Sequence, residues 1–220
     1  GIPQTIIANK TLFDRYDIKI PTNYEEYAEA CDKFYELGIK PYSMDLKEDW
    51  SNHEIVQAGA IGLFTSIEGI KWRNEVESAT GAIPFDDEFW LKVYEETSQF
   101  INDSHITADD LNVDLDTGWG MFLNEESAMF HGSSEVLRNS EKEMEGVELV
   151  RLPYFSQDDG EGYIYMTPSL HIALNKNLKD DKEKLETALD IVDWMISKKG
   201  QEIISDGGEV ASLNMDVSSS

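Results

Sequence analysis

The 220-residue chain carries 44 Asp and Glu against 18 Lys and Arg, a formal net charge of −26, with 40% hydrophobic and 10% aromatic residues. That apolar share belongs to a globular chain and excludes intrinsic disorder. An excess of acids this large also excludes nucleic acid and anionic lipid as partners, because both are held by Lys and Arg.

The single cysteine, Cys31, rules out an intramolecular disulfide and leaves the compartment open. Residues 55–64 form the longest nearly apolar run, interrupted by Gln57 and well short of the ~20 residues that span a bilayer. The chain opens Gly1-Ile2-Pro3 with neither an initiator Met nor a basic-then-apolar leader, and reads as a processed or excised piece.

Residues 1–20 are mixed and rich in β-branched side chains. Pro21-Thr22-Asn23-Tyr24-Glu25 then reads as a capping box with Thr22 as N-cap. Tyr24, Tyr27, Ala28, Cys31 and Phe34 recur at helical spacing, and Gly38 stops the helix. Ile39 to Met44 is a predicted strand, and Ser51 to Glu54 a second capping box opening a helix with Ile55, Val56, Ile61 and Phe64. Phe85-Asp86 introduces the clearest amphipathic helix, with Phe89, Trp90, Val93, Tyr94, Phe100 and Ile101 on one stripe. Thr107 caps a short helix. Next come a helix over Gly120 to Asn124, an extended Ala128 to Phe130, and a tight Gly132-Ser133-Ser134 loop leading into another helix.

Val147 to Leu152, Tyr163 to Met166 and Ile172 to Leu174 are predicted strands. Leu185, Ala188, Leu189, Val192, Met195 and Ile196 mark a strong helix stopped near Gly200, with a shorter one before Gly207-Gly208. Trp72, Trp90 and Trp194 sit on helical patterns and read as core. Helices and short strands intermingle without internal repeats, which predicts an α/β class. The acidic, glycine-bearing run Ser156 to Gly162 is the expected domain break.

Catalytic motifs fail on spacing. His53-Glu54 could begin a zinc-protease helix, but position 57 is Gln57 where the second histidine must stand. His105, His131 and His171 are isolated in sequence and support neither a metal site nor a base. Asp114 to Glu125 resembles a calcium loop, yet Trp119 occupies the place of the turn glycine. Gly132-Ser133-Ser134 lacks the second glycine of a nucleophile elbow, and no phosphate-cradling glycine motif occurs. Paired carboxylates could hydrolyse glycosides, but among 44 acids such pairs arise by chance. No catalytic residue, metal or cofactor is expected.

Trp50, in the polar stretch Lys47-Glu48-Asp49-Trp50-Ser51-Asn52, admits two readings. It can staple onto Ile55 across the helix start. It can also offer a flat face to a sugar ring among carboxylates that bind hydroxyls.

Four segments carry a resemblance. Asn9-Lys10-Thr11-Leu12-Phe13 through Asp17-Ile18-Lys19-Ile20-Pro21-Thr22-Asn23-Tyr24-Glu25-Glu26 is similar to a "YNKDLFEKAGI-x-x-PxTWxE" passage. Gly38-Ile39-Lys40-Pro41-Tyr42-Ser43 resembles a "GI-x-P" turn into a strand. Phe122 to Glu135 resembles "F-x-x-GKAAMxxxGSWE". Gly162 to Asn177, Lys198-Lys199-Gly200-Gln201-Glu202-Ile203 and Gly207-Gly208 resemble the closing "KxxEAALxFLxxLxSxEGQ…GG" run. These are segments of the extracellular solute-binding proteins of family 1, the carbohydrate-binding subunits of bacterial ABC importers.

The resemblance implies a type II periplasmic-binding-protein-like α/β fold, a venus flytrap, of which this chain is mostly the second lobe plus part of the first. Residues 1–9 would cross between lobes, 10–158 would form the second lobe, and 159–220 would return partly to the first. It implies an extracellular or periplasmic monomer, lipoprotein-anchored or free, with no membrane insertion of this segment. Such a protein is not an enzyme; it binds a mono- or oligosaccharide and delivers it to an ABC permease.

Trp50 matches a cleft aromatic that stacks on sugar, with Glu48 and Asp49 beside it. Glu161 and Tyr163 fall where the returning strand lines the cleft, and Ser133, Ser134 and Glu135 match the "GSWE" loop. Ser134 stands where the family has tryptophan, so one platform is missing, and Trp119 reads as core. Two alternatives stay open: an extracellular interaction domain of this fold without a sugar ligand, and a glycoside hydrolase.

Overall fold

The computed structural model describes residues 2–78, 88–167 and 172–206. The expectations at Phe85-Asp86, His171 and Gly207-Gly208 lie outside them. The chain divides into two compact units, one of residues 5–132 and 137–165, the other of residues 1–4, 133–136 and 166–220.

Along the chain, β1 (Ile2–Asn9), which enters the larger unit at Thr5, leads into α1 (Lys10–Arg15) and α2 (Tyr24–Glu36). Strand β2 (Lys40–Ser43) precedes three helices, α3 (Ser51–Gly59), α4 (Ile61–Thr65) and α5 (Ile67–Ser78), then the long α6 (Glu88–Asp103). After a 3₁₀ turn at Ala108–Asn112 come α7 (Leu115–Leu123), β3 (Ser127–Gly132), α8 (Ser134–Glu143), β4 (Leu149–Leu152), β5 (Tyr154–Phe155), β6 (Gly162–Tyr163) and β7 (Tyr165–Thr167).

The main sheet runs β2-β3-β1-β4, with β7 also beside β1. β3 is parallel to β2, pairing Tyr42 with Met129 and Ser43 with Phe130. It is antiparallel to β1, pairing Ile6 with His131 and Ala8 with Met129. All six residues of β3 are buried, as befits an inner strand covered on both faces.

Aromatic packing fills the core beneath the sheet. Phe13 meets Phe34 edge-on with centroids 4.7 Å apart, and Tyr27 stacks on Phe100 at 5.8 Å. Ala60, Leu63, Phe89 and Val93 form a satellite core, with the half-buried Trp72 and Trp90 against it. Those two tryptophans pack as expected.

The helix N-terminus at Thr22 is displaced by one residue. Asn23 is the N-cap of α2, its side chain accepting the Glu26 N–H at 2.9 Å, while the Glu26 carboxylate reaches back to the Thr22 N–H at 2.8 Å. Asparagine caps at least as well as threonine, so the nearer residue wins. Asn23→Ala is expected to cost about 1 kcal/mol and Thr22→Ala less, read from urea midpoints.

Other boundaries shift too. The helix expected over 51–64 is interrupted at Ala60, and Thr107 caps the 3₁₀ turn in a box with Asp110. Helix α7 starts at Leu115, with the Asp114 side chain accepting the Thr117 N–H at 3.1 Å. The calcium-like segment is therefore helix, not loop. Helix α5 is marked in the sequence only by the helical pattern around Trp72, without bounds, and its Ile67 is 89% exposed.

In the smaller unit Ile172 to Leu174 is not a strand; a 3₁₀ turn over Lys176–Asp180 leads into α9 (Lys182–Ile196) and α10 (Lys198–Asp206). α9 stops at Ser197, whose hydroxyl accepts the Gly200 N–H at 3.2 Å, so Gly200 lies inside α10 rather than ending α9. No residue of α9 is buried, and Trp194, expected in the core, is 49% exposed.

Candidate functional site

Because β2 and β3 are parallel and paired through Ser43 and Phe130, their carboxyl ends lie side by side. Carboxyl ends of parallel strands are where α/β sheets bind ligands. Two ionisable residues occupy that edge: Asp45, just beyond β2, and His131, near the end of β3. Helix α3 begins there as well and contributes Ser51 and Glu54 from its first turn, where the helix dipole favours an acid.

These four side chains form one buried cluster. His131 Nε2 bonds Asp45 Oδ1, and His131 Nδ1 bonds Glu54 Oε2 at 2.8 Å. Ser51 Oγ donates to Asp45 Oδ1 at 2.8 Å. Asp45 and Ser51 are fully buried, His131 is 3% exposed and Glu54 6%. Asp45 Oδ2 is buried without a hydrogen-bond partner.

An imidazole facing a carboxylate at each nitrogen satisfies both bonds only by donating twice, as imidazolium. Burial depresses the His131 pKa, but the bonds to Asp45 and Glu54, with their charges, outweigh it and raise the value to about 9. For Asp45, burial pushes the carboxyl up, while the bonds from His131 and Ser51 prevail and hold it below the usual range.

Trp50 lies over this cluster. It is the N-cap residue of α3, without a capping hydrogen bond, and is 45% exposed. Its ring centroid stands 6.1 Å from that of His131, tilted by 44°. That is the range of cation–π attraction. The S-x-x-E signature correctly marked the start of α3 but not its chemistry. Ser51 and Glu54 do not cap; both bond within the cluster.

Glu48 and Asp49 precede Trp50 on the same turn. The Glu48 N–H donates to the Asp45 carbonyl and its carbonyl accepts the Ser51 N–H, each at 3.0 Å. Glu161 and Tyr163 meet through Asp159: the Glu161 N–H donates to Oδ1 and the Tyr163 hydroxyl to Oδ2, both at 3.0 Å. Ser133, Ser134 and Glu135 belong to the smaller unit, where Ser133 Oγ accepts the Glu135 N–H at 3.2 Å and the Val136 N–H at 3.4 Å. Trp119 is half-buried and its Nε1–H donates to Ser140 Oγ at 2.8 Å, a packing role as expected.

Sequence reasoning missed Asp45, Ser51, Glu54 and His131 as a group. The available signal was His131 directly after the apolar extended run Ala128-Met129-Phe130, because a histidine carried into a buried strand requires partners. Among the described residues no group of three or more His, Cys, Asp or Glu is arranged to hold a metal ion. A separate open groove of about 560 Å³ is lined by Leu63, Ser66, Glu96 and Asp158 among others. Burial, then the charge of Asp158, pushes Glu96 up to about 7, but no aromatic ring lines that groove.

The architecture is the mixed α/β fold of periplasmic solute-binding proteins. The sequence profile described as bacterial extracellular solute-binding protein matches residues 1–202, and the chain belongs to that family. One similar solved structure is that of the solute-binding protein RafE in complex with raffinose, with 15% identity and TM-score 0.69, covering 100% of this chain and 56% of that one. Another is a sugar transporter from Bacillus licheniformis in complex with stachyose, with 16% identity and TM-score 0.62, covering 90% and 51%. A chitin oligosaccharide binding protein has 13% identity and TM-score 0.65, covering 99% and 53%. The chain therefore spans about half the length of these structures. No curated protein matches it in sequence. Among the described residues no helix is long and apolar enough to cross a membrane.

Proposed function

We propose that the full protein is the substrate-binding component of a bacterial ABC importer, taking a mono- or oligosaccharide in the cleft of the venus flytrap and catalysing nothing. The observation that carries this reading is Trp50, an indole 45% exposed at the carboxyl ends of β2 and β3 and backed by a cluster of buried charges. Large aromatic rings are normally buried for their area, so one left facing solvent over an ordered charged base is suited to stacking on the apolar face of a pyranose. The ligands named for similar proteins, raffinose, stachyose and a chitin oligosaccharide, support a carbohydrate as the ligand class. Glu48, Asp49, Ser133, Ser134, Glu135, Glu161 and Tyr163 are the proposed hydroxyl-binding partners.

In the same reading residues 1–9 are the crossover, 10–158 the second lobe, and 159–220 the return to the first. The exposed Leu189, Ile191, Trp194 and Ile196 of α9 then pack against the rest of that lobe in the full-length protein, outside the cell as a lipoprotein or in the periplasm. Calorimetric titration of the intact protein with raffinose, stachyose and chitotriose is expected to show binding to at least one. Trp50→Ala is expected to weaken it by about 1.5 kcal/mol, roughly tenfold in Kd. Silence toward all three removes the ligand class; an unchanged Kd in the variant removes Trp50.

A further inference from the structure

We infer that the Asp45–His131–Glu54 cluster is a positioning base for Trp50, its buried imidazolium holding the indole in the pose that receives a ligand. This rests on Trp50 being the platform proposed above. The cluster meets Trp50 in two ways. His131 lies against the ring with centroids 6.1 Å apart. The turn that bears Trp50 is also closed by Ser51 Oγ on Asp45, by the Glu48 N–H on the Asp45 carbonyl, and by the Ser51 N–H on the Glu48 carbonyl.

Two of these ties run directly to Asp45 and one to His131, and the fourth closes on Glu48, itself bonded to the Asp45 carbonyl. A charged ring beneath an indole adds a directional attraction that a neutral ring lacks. Loss of the proton removes that attraction and turns one imidazole lone pair toward a carboxylate, so that one of the two bonds to Asp45 and Glu54 is lost.

The titratable groups around His131 are Asp45 beyond β2 and Glu54 on α3, with Tyr42 of β2 and Tyr154 of β5 close to Glu54. Burial raises both tyrosine hydroxyls, which stay protonated through the alkaline range in which His131 gives up its proton. Asp45 is ionised throughout that range. His131 is thus the group whose charge changes there.

The test is the emission of Trp50, obtained as the difference between the intact protein and Trp50→Phe, followed from pH 6 to 10 without ligand. An imidazolium against an indole quenches it, so this component is expected to brighten with a midpoint near 9. Glu54→Gln is expected to move the midpoint to lower pH, and His131→Gln to abolish it. NMR titration of the His131 ring in the unmutated protein gives the same midpoint even where a variant fails to fold. A flat Trp50 component between pH 7 and 10, or a midpoint that differs from that of the His131 ring, overturns the inference.

Raffinose titrated over the same range is expected to bind severalfold more weakly at pH 10 than at pH 7, by no more than the roughly tenfold lost in Trp50→Ala. Raffinose affinity independent of pH while Trp50 brightens overturns the positioning role. Absence of binding by raffinose, stachyose and chitotriose at every pH instead overturns the sugar reading, and the emission titration then decides the inference by itself.

Discussion

Replacing His131 by alanine is expected to destabilise the larger unit by about 3–5 kcal/mol, the cost of stripping the counter-ion from a buried ion pair. The substitution leaves Asp45 fully buried and Glu54 6% exposed with no cation between them. Asp45 Oδ2 already lacks a partner, so its carboxylate would retain only the Ser51 hydroxyl among its side-chain bonds. A buried charge without a partner costs several kcal/mol until it takes up a proton. Glu54→Ala, made in the His131→Ala background, is expected to cost far less than the same change in the unmutated protein, because the carboxylate it removes is by then unpaired. The double-mutant cycle should give a coupling of at least 1 kcal/mol in urea unfolding at pH 6. A His131→Ala cost below 1 kcal/mol, or strict additivity, would show that the cluster is not a charged network.

The same cluster shows where sequence reading reaches and where it stops. Helical spacing in Tyr24, Tyr27, Cys31 and Phe34, or in Phe89, Val93 and Phe100, follows from local periodicity, and those residues are buried in α2 and α6. Short strands at Lys40–Ser43 and Ser127–Gly132 were legible for the same reason. Order along the chain gave the family. Glu54 and His131, however, are 77 residues apart, and Asp45 and His131 are 86 apart.

No local pattern encodes a bond across such a distance. It exists because β2 and β3 pair in parallel and bring their carboxyl ends together. A local motif even pointed elsewhere, since Ser51 and Glu54 have capping-box spacing but their side chains bond to Asp45 and His131. Trp50 was legible as an exposed aromatic in a polar stretch, whereas the base beneath it was not. The bounds of α5 escaped for a different reason: beyond the helical pattern at Trp72 its apolar residues make no single stripe, and Ile67, Ile70 and Val76 are exposed.

Stability should fall as pH rises, in two stages whose windows identify their sources. His131 has a pKa of about 9 in the folded protein against about 6.5 unfolded. A raised value of this kind stabilises fully below pH ~6.5 and is lost as the pH climbs to about 9, a loss of roughly 3 kcal/mol. Glu96, raised to about 7 by burial and by Asp158, follows the same rule in an earlier window, from its ordinary 4.5 up to about 7. Asp45 has the opposite sign: its value is depressed, so its contribution is present above pH ~3.8 and disappears on acidification. Between these limbs the surface acids of a chain with net charge −26 add a broad repulsion, but salt screens exposed charges and hardly touches buried ones. Urea midpoints taken at 0.5 M salt from pH 4 to 10 should therefore show an early decline removed by Glu96→Gln and a later one, between pH 6.5 and 9, removed by His131→Gln. If the later decline survives in His131→Gln, the imidazolium is not its source. If it disappears at high salt in the unmutated protein, it belongs to the surface and not to the buried base of Trp50.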